Sequence, residues 1–235
     1  RGIRRLSVPV PPSQAEVFDE PPRHDGETLV LFDCHVPYHD AEFINQCMAL
    51  AIRWGVDACI FGGDTFDMAA LSSFVNRPTE TLRKEGEAGI GLVDAAAANF
   101  SKVYLFNGNH EARWIHYMKE QLGHEELWRA MGLHRDNVSV SEYYFMLLGE
   151  DWLLEHPRNV SVVPGRVPFF LSAKYQRNVC AGHGHTWGMS QDVTGTRIAI
   201  DAGVCCDPLH LDYISRRHNT RPTVTQGADI FTKKR

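Results

Sequence analysis

The chain has 235 residues, of which 43% are hydrophobic and 23% charged, and its formal net charge is −5. This composition is ordinary for a globular domain with a sizeable core, and it offers no overall positive charge that would attract nucleic acid. No apolar run reaches the roughly 18 residues that a membrane-spanning helix needs, so we expect no membrane partner.

The six cysteines have no regular spacing and form no CxxC pair. We therefore expect neither a disulfide framework nor a thiolate zinc site. The first residues, RGIRRLSVPVPPSQ, are basic but lack the apolar segment of a signal peptide, which indicates a cytoplasmic protein. The chain begins with Arg1 rather than Met, so an upstream natural start is left open.

The first half of the chain begins with a proline-rich arm and then alternates strands and helices. Residues 1–27 hold five of the twelve prolines, which is typical of an extended arm. Continuous apolar runs predict strands at 28–33, 57–64 and 102–109. Helical periodicity predicts helices at 41–55, about 79–100 and 111–122.

The second half is richer in strands. Two strands with a turn at Gly149-Glu150 are predicted within residues 137–156. Further elements are a helix at 168–177 and strands at 159–164, 178–183 and 197–203. This order predicts α/β layers, built either on one mixed sheet or on two stacked sheets.

Each of five strand-like runs ends in side chains that can bind a metal. In chain order these are Asp33 and His35, then Asp64, then Asn109 and His110, then His156, then His183 and His185. In open α/β sheets, ligands bind beyond the carboxyl ends of the strands. We therefore expect these side chains to meet at one edge.

The residue types in this set suit two metal ions. Apart from His110, the set holds two carboxylates, one amide oxygen and four imidazoles, a mixed oxygen and nitrogen environment that favours Mn, Fe or Zn. Seven ligands are too many for one tetrahedral ion, but they fit two ions that share a carboxylate. Asp64 is the natural bridge, because its neighbouring glycines allow close approach. The glycines around His183 and His185 are expected to leave room for the metals and for a bound substrate.

The motifs DCH (33–35), GDTFD (63–67), GNHE (108–111), His156 and GHGH (182–185) occur in this order. Together they resemble the five-part signature of the calcineurin-like metallophosphoesterases, over roughly residues 28–205. The resemblance implies two stacked mixed β-sheets flanked by helices, a four-layer α-β-β-α sandwich. It also implies a catalytic domain at 28–210, preceded by the arm and followed by a tail at 211–235 that packs on the domain.

The resemblance further implies two divalent or transition-metal ions, Mn, Fe, Zn or Ni. One ion is expected on Asp33, His35 and His185, and the other on Asn109, His156 and His183, with Asp64 bridging. A metal-bridging hydroxide would attack phosphorus in line, and His110 would act as general acid toward the leaving oxygen. Asp67 is expected to orient His110. Glu111 is an alternative orienter, and Asp67 has the alternative of capping the following helix.

The substrate is less constrained. Arg113 and His39 are candidate substrate contacts, with a solvated or structural role as the alternative. Tyr38, Phe66 and Trp187 directly follow ligands and could line a cleft or belong to the core. GDTFDMAAL lacks the Arg-Gly that continues this motif in protein Ser/Thr phosphatases, which speaks against a protein phosphatase. The chain resembles compact, phage-type members of the family, which often act on phosphodiesters or small phosphoesters, so we expect a phosphodiesterase. Phosphomonoesters, nucleotides and nucleic acids stay open as substrates, and a non-catalytic binding scaffold is the less favoured alternative.

Overall fold

The computed structural model of the chain describes residues 20–72, 80–118, 123–210 and 223–233. The strands within these ranges are β1 (Arg23–His24), β2 (Thr28–Leu31), β3 (Ala58–Gly62), β4 (Lys102–Phe106), β5 (Val138–Val140), β6 (Phe145–Leu148), β7 (Trp152–Glu155), β8 (Asn178–Ala181), β9 (Trp187–Gln191), β10 (Ile198–Ala202) and β11 (Asp229–Phe231). The helices are α1 (Ala41–Arg53), α2 (Leu82–Asn99), α3 (Glu111–Tyr117), α4 (His124–Ala130) and α5 (Arg166–Tyr175).

The first sheet has five strands in the order β11-β2-β3-β4-β5. β2, β3, β4 and β5 run parallel, and β11 pairs antiparallel with β2 at the edge. Leu31 lies opposite Phe61, and Phe61 lies opposite Leu105, so β2, β3 and β4 end at nearly the same level. The loops after these three strands therefore leave the sheet at one edge.

The second sheet has six strands in the order β1-β6-β7-β8-β10-β9. β7, β8 and β10 are parallel to one another, β6 runs antiparallel to β7 and parallel to β1, and β9 runs antiparallel to β10. Glu155 lies opposite Ala181, and Ala181 lies opposite Asp201. The loops after β7 and β8 thus also begin at a common level.

The two sheets stack face to face, as the alternation of side chains along β2 shows. Leu29 and Leu31 belong to a core that they share with residues of α1 and α2. Val30, between them in sequence, points the other way and packs with Leu154 and Cys180 of the second sheet. Successive side chains of a strand point to opposite faces, so one strand serves both cores.

Helix α5 covers the outer face of the second sheet. Its Leu171 packs against Leu153 and Val179, which alternate with the residues that face the first sheet. The layers are therefore helix, sheet, sheet and helix, and the predicted four-layer α-β-β-α sandwich is confirmed.

The strand predicted at 159–164 is wrong, because these residues form bends and a turn that lead into α5. Val160, Val162 and Val163 are 41%, 52% and 49% exposed, so this valine-rich run buries neither face. Gly165, with φ of 76°, ends the turn and directly precedes α5. Valine has a high β-propensity, but these residues do not pair with any strand of the described sheets.

Two other regions differ from their prediction. Residues 137–156 hold three strands rather than two, and β5 joins the first sheet while β6 and β7 join the second. β9 has no predicted counterpart, because its side chains alternate between exposed and half-buried and so give no apolar face. The helix predicted at 111–122 ends at Tyr117, and residues 119–122 lie outside the described ranges.

Parts of both predicted end segments are described. Of the arm at 1–27, residues 1–19 lie outside the described ranges, and Arg23 and His24 form β1 beside β6. Of the tail at 211–235, residues 211–222 and 234–235 lie outside them, and β11 extends the first sheet. Among the described residues, no helix combines the length and apolar character needed to cross a bilayer.

Candidate metal centre

The side chains expected to bind metal all follow strand ends, but the strands belong to two sheets. Asp33, His35, Asp64 and Asn109 come after β2, β3 and β4 of the five-stranded sheet. His156, His183 and His185 come after β7 and β8 of the six-stranded sheet. The sequence predicted one common edge. The structure instead joins the edges of two stacked sheets.

A first cluster brings together Asp33, His35 and His185, all of them buried. Nε2 of His185 lies 3.0 Å from Oδ1 of Asp33 and 3.2 Å from Nε2 of His35. Nε2 of His35 lies 3.6 Å from the same Asp33 oxygen. Metal bonds of about 2.1 Å place neighbouring ligand atoms ~3.0 to 3.4 Å apart, so this triangle has the size that a divalent ion needs.

A second cluster brings together Asp64, His156 and His183. Nε2 of His156 lies 3.3 Å from Oδ2 of Asp64 and 3.2 Å from Oδ1 of Asn109. The other ring nitrogen of His156, Nδ1, lies 3.1 Å from the carbonyl oxygen of Gly62. A histidine that donates one ring nitrogen to the main chain presents the other to a metal, so His156 is oriented as a ligand should be.

A third group links the first cluster to the predicted general acid. Oδ1 of Asp67 lies 3.1 Å from Nδ1 of His35 and 3.3 Å from Nδ1 of His110. Asp67 therefore contacts His110 as the sequence predicted, and it also holds His35, whose Nε2 faces the first cluster. The short helical turn that follows is preceded by Met68 and receives no side-chain cap, so the capping alternative for Asp67 is not what the structure has.

His110 is held in one tautomer by its neighbours. Its Nδ1 donates to the carbonyl oxygen of Asp67 at 2.7 Å. Its Nε2 lies 2.9 Å from Nη2 of Arg113, and an arginine can only donate, so Nε2 is the acceptor. Its backbone N–H donates to Oδ1 of Asp64 at 2.8 Å. Arg113, a predicted substrate contact, thus lies directly against the imidazole.

The carboxylates of the centre are ionised despite their burial. Burial by itself would raise the pKa of Asp33, but the charge of His185 and its hydrogen bond hold that pKa well below its usual range. Burial would likewise raise the pKa of Asp64, and the charges of His110 and His156 lower it instead. Ionised carboxylates are the form that binds metals, so both are ready as ligands.

The two imidazoles of the second cluster differ in their protonation. Burial disfavours a charge on His156, but the Asp64 carboxylate outweighs burial and raises the pKa of His156 to about 9. Burial and then the charge of His156 lower the pKa of His183 to about 4. At neutral pH His156 is therefore charged and His183 neutral in the metal-free protein.

Glu111 fixes the backbone of two ligand-bearing loops. Its fully buried carboxyl group accepts from the backbone N–H of Asp64, Phe66 and Gly108 at 3.0, 3.0 and 2.9 Å. Burial, with the charge of Asp64 adding to it, raises the pKa of Glu111 to about 7. Its role is therefore to connect the loops after β3 and β4, and the alternative that it orients His110 is not supported by these contacts.

Five of the seven candidate ligands have a left-handed backbone. The φ angles are 51° for Asp33, 47° for His35, 47° for Asp64, 67° for His183 and 57° for His185. Non-glycine residues occupy this region at a cost of about 1 to 3 kcal/mol each, and such strain is found mainly at functional sites. The surrounding contacts, above all those of Glu111, must offset this cost.

The glycines of the motifs accommodate protein side chains. A Cβ on Gly182 would lie 2.5 Å from the ring of Phe32, and one on Gly184 would lie 2.3 Å from Oδ1 of Asp201. A Cβ on Gly108 would lie 2.1 Å from Oδ1 of Asp64. Gly182 thus leaves space for side chains of the first sheet and Gly184 for Asp201 of its own sheet, while room for metals and phosphate around GHGH stays a prediction.

The other predicted contacts divide between site and core. His39 forms an isolated bridge with Cys206 and belongs to none of the three His/Asp groups found among the described residues. Phe66 is fully buried and packs on Trp128, so it is a core residue. Trp187 is half-exposed at the start of β9.

Sequence reasoning missed Asp201. This residue is buried and accepts a hydrogen bond from the backbone N–H of Gly165 at 3.1 Å. Its carboxyl group also lies against Gly184, the residue between the candidate ligands His183 and His185 in the sequence. Burial raises its pKa to about 7. A carboxylate in the apolar strand RIAIDAG was the available signal, since buried charges are rare without a role.

Comparisons with known proteins add little to these observations. No protein-family model matches the chain, and no curated protein matches its sequence. Among solved structures, the chain is similar to YfcE, a phosphoesterase from E. coli, over 79% of this chain and 84% of that one. The two share 12% sequence identity with a TM-score of 0.42, which is too distant to support an inference about activity.

Proposed function

We propose that this chain is a metal-dependent phosphoesterase of the calcineurin-like type, with two metal ions and a preference for phosphodiesters. The observation that carries the proposal is the geometry at the joined edges of the two sheets. There, two His/Asp clusters whose ligand atoms are spaced as around a metal ion lie beside His110. The order of the five motifs in the sequence supports the same family.

The donor set fits two ions. Asp33, His35 and His185 would hold one, and Asn109, His156 and His183 the other. Asp64 is the candidate bridge, since its Oδ2 faces the second cluster and its charge also acts on His35 of the first. The oxygen and nitrogen ligands accept Mn, Fe, Zn or Ni. Bound ions would supply Lewis-acid stabilisation of the phosphate oxygens and water of lowered pKa.

The chain's own residues would bind the phosphate and handle the proton. Arg113 lies next to His110 and offers a guanidinium that can bind a phosphate oxygen. In the structure Nε2 of His110 accepts from Arg113, so His110 can act as an acid only after Arg113 turns to the phosphate and Nε2 gains a proton. Asp67 would hold the ring throughout, through its carboxylate and its carbonyl oxygen.

The preference for diesters is supported by the sequence alone. GDTFDMAAL lacks the Arg-Gly found after this motif in protein phosphatases, which speaks against that class. Compact members of the family, which this chain resembles, often act on phosphodiesters or small phosphoesters. A nucleotide or a nucleic acid is the proposed class of natural substrate. A cytoplasmic location stays a prediction.

The test compares bis(p-nitrophenyl) phosphate with p-nitrophenyl phosphate, using protein that has been stripped of metal and reconstituted with Mn. We expect faster turnover of the diester, and no turnover after stripping. His110→Ala should keep both metals and lower kcat by about 10²- to 10⁴-fold, the usual contribution of a general acid. His116→Ala, at an exposed histidine on helix α3, which His110 directly precedes, is the matched control.

Faster turnover of the monoester would replace the proposed preference with a phosphatase. Two bound metals without turnover of either ester would overturn the enzymatic proposal and favour a binding scaffold.

A further inference from the structure

The peptide group between Asp67 and Met68 is hydrogen-bonded on both sides. Its N–H donates to Oε1 of Glu85 at 2.6 Å. Its carbonyl oxygen accepts from Nδ1 of His110 at 2.7 Å and from Nη1 of Arg113 at 2.6 Å. One amide plane therefore connects a carboxyl group on α2 with the imidazole of the proposed general acid.

Helix α2 approaches this peptide closely, because two of its residues are matched to the loop after β3. Glu85 is 2% exposed, and Met68, whose N–H it accepts, is fully buried with a left-handed φ of 48°. One turn further along α2, a Cβ on Gly89 would lie 2.1 Å from the ring of Phe66. Gly89 thus leaves space for the ring of Phe66, and Glu85 accepts a hydrogen bond from the Asp67–Met68 peptide, which follows Phe66 in the chain.

Removing the acceptor on Glu85 would leave the N–H of Met68 buried without a partner. A buried donor without a partner is costly, so the peptide would rotate toward another acceptor. Rotation would move the Asp67 carbonyl oxygen away from Nδ1 of His110 and from Arg113. The imidazole would then lose its closest Nδ1 acceptor, and Arg113, which donates to Nε2, would lose its own contact with the same carbonyl oxygen.

We infer that Glu85 is a positioning residue for His110, acting through the Asp67–Met68 peptide. The prediction for activity rests on the proposed phosphoesterase function, whereas the prediction for the His110 ring rests on the contacts alone. Burial raises the pKa of Glu85 to about 8, so the group is protonated at neutral pH and glutamine reproduces it closely.

The kinetic test uses Mn-loaded full-length protein with bis(p-nitrophenyl) phosphate. Glu85→Met keeps the length of the side chain and removes the acceptor, and it should lower kcat by about 10- to 100-fold with KM and metal content unchanged. Glu85→Gln keeps an acceptor and should restore most of kcat. Glu87→Met, an exposed site two residues along α2, should behave as the unchanged protein.

The second readout does not depend on turnover. Ring-nitrogen chemical shifts of ¹⁵N-histidine in the Zn-loaded protein report the tautomer of His110, which is assigned from the signal lost in His110→Gln. We expect the Nδ1–H tautomer in the unchanged protein and in Glu85→Gln, and a mixture of tautomers in Glu85→Met. A tautomer of His110 that is the same in all three proteins would overturn the inference.

The two proposals fail separately. If metal-loaded protein hydrolyses no phosphoester, the proposed function is wrong and the ring-nitrogen shifts still decide the role of Glu85. If the protein is active and Glu85→Met has unchanged kcat, the inference is wrong and the function stands. Should Glu85→Met not fold, Glu85→Asp, whose shorter side chain withdraws the acceptor, decides by the same two readouts.

Discussion

The two sheets support their parts of the candidate metal centre in different ways. On the five-stranded side, buried carboxyl groups hold the loops, with Glu111 accepting three backbone N–H groups and Asp67 holding His35 and His110. On the six-stranded side the support comes largely from the first sheet. Nδ1 of His156 hydrogen-bonds to the carbonyl oxygen of Gly62 at 3.1 Å, and the backbone N–H of His183 donates to Oδ2 of Asp33 at 2.8 Å.

This difference indicates that the five-stranded side is the template on which the three imidazoles of the second sheet are placed. Substitutions that remove the hydrogen bonds of Glu111 should therefore weaken metal binding at both clusters. Substitutions beside Gly184 should affect only the six-stranded side. Variants of matched chemistry on each side can test this order.

The largest effect is expected from Glu111→Leu. The change leaves three buried N–H groups without an acceptor, which should cost on the order of 3 kcal/mol or more of unfolding free energy. Both metals should bind more weakly, because Asp64 loses its backbone support. Urea unfolding and metal titration measure the two effects. Glu125→Leu on the exposed face of α4 is the control, and loss of one metal alone would contradict the template role of the first sheet.

The next effect is a pH dependence of metal binding at the second cluster. In the metal-free protein the pKa of His156 is raised to about 9, so below this pH a proton must leave before a metal binds. With one proton to displace, affinity should rise about tenfold from pH 7 to pH 8 and about fiftyfold in all from pH 7 to pH 9, where half of His156 is already neutral. His183, with its pKa lowered to about 4, adds no dependence in this range.

Chelator competition at pH 7, 8 and 9 measures this dependence, with release of protons checked by calorimetry in buffers of different ionisation enthalpy. Affinity that does not change over this range would show that His156 is not a ligand or is not charged beforehand.

The smallest effects compare two glycines. Ala at position 108 would place its Cβ 2.3 Å from the backbone nitrogen of Asp64, which cannot move alone. Gly108→Ala should therefore destabilise by about 1 to 3 kcal/mol. In Gly184→Ala the nearest atoms belong to the Asp201 carboxyl group, which can turn aside, so we expect about 1 kcal/mol.

Gly91→Ala is the control for both glycine variants, since nothing lies within 4 Å of its Cβ and alanine should stabilise α2 by up to about 1 kcal/mol. Equal losses from Gly108→Ala and Gly184→Ala in thermal unfolding would contradict the proposed difference between the two sides.

Local patterns predicted most of the elements that carry the site. The apolar runs that end at Leu31, Gly62 and Phe106 marked three parallel strands, because a buried strand needs an unbroken run of apolar residues. The same rule wrongly predicted a strand at 159–164, because the valines of that run are exposed and do not join a sheet. β9 was missed because neither of its faces is apolar enough to be seen in the sequence.

The sequence by itself determined which side chains could bind metal, since a ligand's identity and its place after a strand are local properties. Only the tertiary structure decided how they are supported. Glu111 reaches Asp64 across 47 positions, and Glu85 reaches Met68 across 17. Such contacts depend on which helix packs against which loop, and the periodicity of apolar residues in the sequence does not predict that arrangement. The left-handed backbone of five candidate ligands was not predictable either, because Asp and His adopt this conformation more often than most residues but still only occasionally.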